Sequence, residues 1–194
     1  MTMATASTMD TRTGGKLDLE DPSGTVIELE DVACALSRIC RFAGHSSQFY
    51  SVAQHAVLVS GIVNSIGRSD LRFLALHHDS HEAYIGDISS PLKRLLAERN
   101  ELETLRGITN SLDVAIRSRF GIPDPSDEDA CTVKYADLVA LAVEAKTFMS
   151  SRFEIPEAVR FEPLVSDICI RVALDPMEAE AEFIAEHRRI EQES

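Results

Sequence analysis

With 194 residues, 44% of them hydrophobic and 26% charged, the chain is long enough for one globular domain with a real core and a tail. Tryptophan is absent and aromatics make up 6%, which leaves packing to Leu, Ile, Val and Ala and points to an all-α fold, a single compact helical bundle. A net charge of −13, no apolar run near the ~18 residues of a membrane span and no apolar core in the N-terminal stretch argue against stable nucleic-acid binding, membrane insertion and secretion, and for a cytoplasmic protein.

Residues 1–15, rich in Thr, Ser, Met and Gly without periodicity, are expected as a disordered extension, with the domain and a C-terminal helical segment over 16–194. Asp21-Pro22-Ser23-Gly24 is turn chemistry, and Thr25 to Leu29 suits a short extended piece. Asp31 is placed to cap a first helix in which Val32, Ala35, Leu36 and Ile39 recur at helical spacing. Ser51 is the N-cap expected for a buried helix, VAQHAVLVSGIVNSI, that carries His55. The spacing predicts one helix over LRFLALHHDSHEAYIG, opened by Ser69-Asp70 and closed by Gly86. A further helix restarts at Leu92 with Pro91 near its first turn. Glu98 to Phe120 is a long helical stretch ended by Gly121, and an acidic, proline-bearing loop then precedes a core helix from Val133 that carries Asp137. Pro156, Pro163 and Pro176 are expected breaks, and a polar amphipathic helix runs from Pro176 through Ile190 with His187 on its surface. Cys34, Cys40, Cys131 and Cys169 form no CxxC pair and are expected as buried thiols.

The informative stretch is LALHHDSHEAYIGDISSPLKR. On a helix, residues three and four apart share a face, so His78, Asp79 and Glu82 converge on an otherwise apolar element. Buried charge is costly unless it is paired or holds a metal. Two outside partners are available, His55 among Val, Ala and Leu, and Asp137 in Tyr-Ala-Asp-Leu-Val-Ala-Leu. Taken singly, such a His is usually a hydrogen-bonded core residue and such an Asp a helix cap. The joint pattern of one His, then His-Asp, then one Asp, each on its own apolar helix, points to a transition-metal site.

This set resembles the HD-domain superfamily of metal-dependent phosphohydrolases, whose signature is H, then HD, then D on separate helices, here His55, His78-Asp79 and Asp137. The wording of YSVAQHAVLVS, ALHHDSHEAYIGDISSPLKRLL and KYADLVALAVEAK looks like a phage and bacterial branch close to 5′-deoxynucleotidases and small dATP triphosphohydrolases, over roughly residues 30–150. Glu82, Gly86-Asp87 and Ser90-Pro91-Lys93 extend the likeness beyond the tetrad. It implies a cytoplasmic, homo-oligomeric enzyme of deoxynucleotide metabolism in a bacterium or a phage-infected host. The pair His77 and His81 departs from the pattern; spaced four apart it could bind zinc on one helical turn, but it points away from the His78 face and is expected as polar surface or hydrogen-bonded residues.

Two imidazoles and two carboxylates suit Mn, Fe, Co, Ni or Zn and leave positions for a water of lowered pKa, with Mg²⁺ possible at a second, phosphate-bound site. Glu82 is the first candidate to orient or deprotonate that water or to protonate the leaving oxygen, and Asp87 the second. Residues 31–95 carry a net charge of +1 against −14 elsewhere, so an anionic substrate belongs there. Arg38, Arg41 and Lys93 are candidate phosphate ligands. His45 lies in a loop that can reach phosphate, and Ile39 and Phe42 can floor a base or sugar pocket or belong to the core. The reading that leads is attack at the α-phosphorus of dATP, giving deoxyadenosine and tripolyphosphate, with a small-molecule nucleotide as the only partner besides further copies of the chain. A 5′-deoxynucleotidase releasing phosphate from deoxynucleoside monophosphates is the alternative, and a non-catalytic nucleotide-sensing module is the alternative of another class.

Overall fold

The computed structural model describes residues 7–150, 170 and 172–193, so Pro156, Pro163 and Cys169 lie outside the described residues. The fold is all-α. Its helices are α1 (Leu29–Arg38), α2 (Val52–Ser65), α3 (Arg72–Leu76), α4 (Glu82–Ile85), α5 (Ser90–Glu98), α6 (Leu102–Phe120), α7 (Asp127–Phe148) and α8 (Pro176–Glu193). Among the described residues no helix is long and apolar enough to cross a membrane.

Helix α2 is the axis of the bundle. The Ser51 hydroxyl accepts the backbone N–H of Gln54 and starts the helix where its sequence predicts. Apolar residues surround α2, so it is buried from several sides and packs against α1, α3, α7 and α8. Its first half, Val52, Ala53 and Ala56, joins Val32 and Leu36 of α1 and Ala179 and Phe183 of α8. Its second half, Val59, Ile62 and Val63, joins Val133, Ala136 and Val139 of α7.

Several expectations are corrected. From Thr8 the N-terminal stretch is no disordered tail: strands β1 (Thr8–Asp10) and β2 (Lys16–Asp18) pair antiparallel, and residues 1–6 lie outside the described residues. The physical reason lies in two anchors, Leu17 packed without exposure in the core and Asp31 accepting from the backbone N–H and hydroxyl of Thr13. Asp31 therefore serves the hairpin turn; it is inside α1, whose N-cap is Glu28. The helix expected over 71–86 is broken between Leu76 and Glu82. There the backbone runs in tight i to i+3 turns, with Ser80 N–H on His77 O, Glu82 N–H on Asp79 O and Tyr84 N–H on His81 O. Helix α7 begins at Asp127 because Ser126 and Asp129 form a reciprocal capping box, so the acidic segment read as loop is its first turn. Cys131 is exposed, Cys40 half-buried and Cys34 buried.

Helix α8 closes the bundle through groups read as surface. His187 is buried: its Nδ1 shares a hydrogen bond of 2.9 Å with His77 Nε2, inside a cage of Phe73, Phe120 and Phe183. Next to it Glu186 accepts from Ser60, from buried Arg72 at 3.0 Å and from Arg189. Burial pushes the Glu186 carboxyl up, but Arg189, Arg72 and Ser60 outweigh it and hold it below the usual carboxylate range. A carboxyl lowered in the folded state stabilises above its unfolded pKa, and that contribution disappears as pH falls through the folded value. Glu186→Gln removes one of the two carboxylates paired with Arg72, Glu193 being the other, and is expected to cost about 2 kcal/mol at pH 7, a Tm drop of roughly 4–8 °C for a chain of this size. Thermal melts should show the gap between the two proteins closing below about pH 4, and a gap that persists unchanged to pH 3 contradicts the assignment.

Candidate metal centre

His55 lies at the fourth position of α2 and has no solvent exposure. Its Nδ1–H donates to Glu144 Oε1 of α7 at 2.6 Å, which turns Nε2 toward Asp137 Oδ1 at 3.3 Å and Asp79 Oδ2 at 3.7 Å. His78, in the broken segment after α3, donates from Nδ1 to the Ala75 carbonyl at 2.7 Å and brings Nε2 within 3.1 Å of the same Asp79 Oδ2. The two rings stand 5.2 Å apart, and both Nε2 atoms are buried without a hydrogen-bond partner.

This arrangement fits a metal ion. A ligating imidazole donates its other nitrogen to a carboxylate or carbonyl, which fixes the tautomer and aims the lone pair, and both histidines do so. Atoms bound at about 2.0–2.1 Å to one ion stand about 2.9–3.4 Å from each other in tetrahedral or octahedral geometry. The 3.1 and 3.3 Å separations fall in that range and the 3.7 Å one is slightly wider. His55, His78 and Asp79 form one group whose ligand atoms lie within 4.8 Å of one another and could hold an ion. Asp137 adds Oδ1 beside His55, while its Oδ2 accepts from Lys134 at 2.6 Å.

Asp79 and Glu82, three residues apart, share a face, and with His81 they form another group of close donors. His81 Nδ1 is fixed by Asp113 at 2.9 Å and His77 contacts Ser80; both are hydrogen-bonded, and both are buried, not on the surface. Glu82 is buried with Oε2 unpartnered, and burial, then Asp79 and Asp87, push its carboxyl up to about 9. Burial pushes Asp79 up as well, but His78, His55 and His81 outweigh it and hold it well below the usual range. Burial and Arg41 press the His55 pKa down; Glu144 and Asp137 more than compensate and set it at about 9.

The cations divide into two sets. Arg41 is buried, its Nε donates to Glu144 Oε2 at 2.9 Å, and burial, which disfavours its charge, is overcome by Glu144, Asp137, Asp79 and Asp87. Lys93 lines a small cleft with Glu82, His81 and Gly86, and half-buried Asp87 lies near enough to Glu82 and Arg41 to act on both. Arg38 points elsewhere: it bonds the Cys34 carbonyl, Ser37 and Glu180 of α8. Ile39 packs on the main core, His45 is exposed, and Phe42 lies under the Arg41 guanidinium at 5.7 Å. A cavity of about 260 Å³ opens beside His78, Asp79 and Asp137, with Leu74 and Val133 on its apolar wall and Arg117 and Lys134 as its cations. The residue missed in the sequence is Glu144, whose partners are 89 and 103 positions away; its only local signal is a carboxylate on the apolar side of a core helix.

No family model matches the chain. Over 120 residues, 62% of the chain, it is 47% identical to the uncharacterized protein YfdR of Escherichia coli, and the match spans 60% of that relative's length. Over 187 residues, 90% of each protein, it is 33% identical to an uncharacterized protein of Rhodobacter capsulatus, and the chain belongs to the family of that protein.

His78→Ala deletes one of the two unpartnered imidazole nitrogens. Elemental analysis of the purified variant is expected to show loss of bound transition metal; metal retained at the wild-type ratio contradicts the grouping of His55, His78, Asp79 and Asp137.

Proposed function

We propose that the protein is a metal-dependent phosphohydrolase of deoxynucleotides that attacks the α-phosphorus, with His55, His78, Asp79 and Asp137 as metal ligands. The observation that carries this reading is the pair of buried, unpartnered Nε2 atoms aimed at a common carboxylate. The resemblance of the surrounding sequence to HD-domain phosphohydrolases supports it. Imidazole ligands favour Mn, Fe, Co, Ni or Zn over Mg²⁺ at this position, while Mg²⁺ suits the phosphate oxygens of the substrate. A transition ion bound there supplies Lewis acidity and lowers the pKa of a water toward neutrality.

The residues around the tetrad do the rest. Arg41, held charged beside Asp79 and Asp137, is the cation that receives phosphate oxygens. Lys93 is the second, across from Glu82. Arg38 is paired with Glu180 of α8. Burial beside Asp79 and Asp87 pushes the Glu82 carboxyl up and favours its protonated form. Glu82 is the group that protonates the leaving 5′-oxygen or orients the attacking water, and Asp87 is the second candidate for that role.

The test is a screen of nucleoside mono- and triphosphates with product identification. Deoxyadenosine and intact tripolyphosphate from dATP are the expected products. Phosphate released from deoxynucleoside monophosphates alone moves the protein to the 5′-deoxynucleotidase reading, and tight nucleotide binding without turnover moves it to a sensing module. Glu82→Ala is expected to keep metal and nucleotide binding while lowering kcat by about 10² or more; an unchanged kcat transfers the role to Asp87.

A further inference from the structure

His55 and Arg41 come from different elements, α2 and the turn that follows α1, yet both are fastened to one carboxylate. Glu144 has no solvent exposure; Oε1 accepts from His55 Nδ1 at 2.6 Å and Oε2 accepts from Arg41 Nε at 2.9 Å. A carboxylate buried this deeply is strongly unfavourable unless it is paired. A counterion for Arg41 alone needs no contact with His55, and an anchor for an imidazole can be a plain carbonyl, as Ala75 is for His78. Here one anion performs both tasks.

The two contacts have different consequences. With Nδ1–H donated to Glu144, the nitrogen His55 presents to Asp79 and Asp137 is Nε2. On the other side, a guanidinium bound through Nε has its plane fixed. The chain around Arg41 is constrained as well: Arg41 N–H donates to Tyr50 O and Val52 N–H to Ile39 O, while Phe42 and Ala43 take left-handed φ of 56° and 50°. Strained backbone of this kind persists where neighbouring contacts hold it.

We propose that Glu144 is a positioning residue that ties the metal site to the anion site, orienting His55 through one oxygen and Arg41 through the other. It touches neither ion nor substrate. The inference rests on the metal-centre reading given above. Because one carboxylate serves both, a change at Arg41 reaches the metal site without any contact between Arg41 and the ion.

The test uses the chemistry of amides. A glutamine has one acceptor oxygen and one donor NH₂ group, so at position 144 it can accept from His55 or from Arg41, not from both. Wild type, E144Q, R41M, R41M/E144Q and R41M/E144A are prepared metal-free and checked for folding by circular dichroism. Co²⁺ affinity is measured by chelator competition and inorganic phosphate binding by calorimetry. E144Q in the wild-type background is expected to weaken Co²⁺ binding 10- to 100-fold, the usual effect of losing a group that orients a metal ligand. In the R41M background the amide oxygen turns to His55, so the same change costs less than about threefold, whereas R41M/E144A loses the full 10- to 100-fold. Phosphate binding is lost in every R41M protein. The comparison within the R41M background leaves no guanidinium buried without a partner and stands even where E144Q alone does not fold. Equal Co²⁺ affinity in R41M/E144Q and R41M/E144A overturns the positioning role. A wild-type chain that binds no Co²⁺ overturns the metal reading itself.

Discussion

A histidine without solvent exposure at the heart of the most apolar helix is the constraint around which the other elements are arranged. Burying His55 there costs free energy for each polar atom left unmatched, and its Nδ1 and Nε2 both face groups from other elements. Helix α7 supplies Glu144 for one nitrogen and Asp137 beside the other, and the segment after α3 supplies Asp79. Glu144 in turn requires a cation, which is Arg41. The packing of α2 on α1, α3 and α7 is thus an electrostatic requirement as much as a hydrophobic one, and the charged groups converge where those helices meet.

The interruption between Leu76 and Glu82 sets the local shape of the cluster. Within it His78 Nε2 and Asp79 Oδ2 stand 3.1 Å apart, and Glu82 lies near Asp79. The same stretch buries His77 toward α8, where it meets His187. One short segment therefore serves two environments, a polar centre on one side and an aromatic cage on the other.

Much of this was legible in the residues. The serine cap of α2, the glycine ending α6 at left-handed φ of 66° and the His, His-Asp, Asp pattern are local signals, and the structure brings those residues together. The break in the helix had no such signal, since HHDSHE contains neither proline nor glycine. His187 looked like surface because it lies near the C-terminus in a polar helix. Yet Ala179, Phe183, His187 and Ile190 form a stripe at helical spacing, and that pattern marks it as inward-facing. Glu144 and the hairpin role of Asp31 depend on partners far away in sequence, which periodicity and capping rules do not reach. Arg38 and Arg41 lie three residues apart, yet each is paired with a different helix, Arg38 with Glu180 of α8 and Arg41 with Glu144 of α7.

The most direct measurement is an anomalous difference map from a crystal of the protein grown with Mn²⁺, Co²⁺ or Zn²⁺. The account predicts one strong peak in contact with His55 Nε2, His78 Nε2 and the carboxylates of Asp79 and Asp137, at about 2.0–2.2 Å from each. A map with no peak there, or with its strongest peak on other residues, contradicts it.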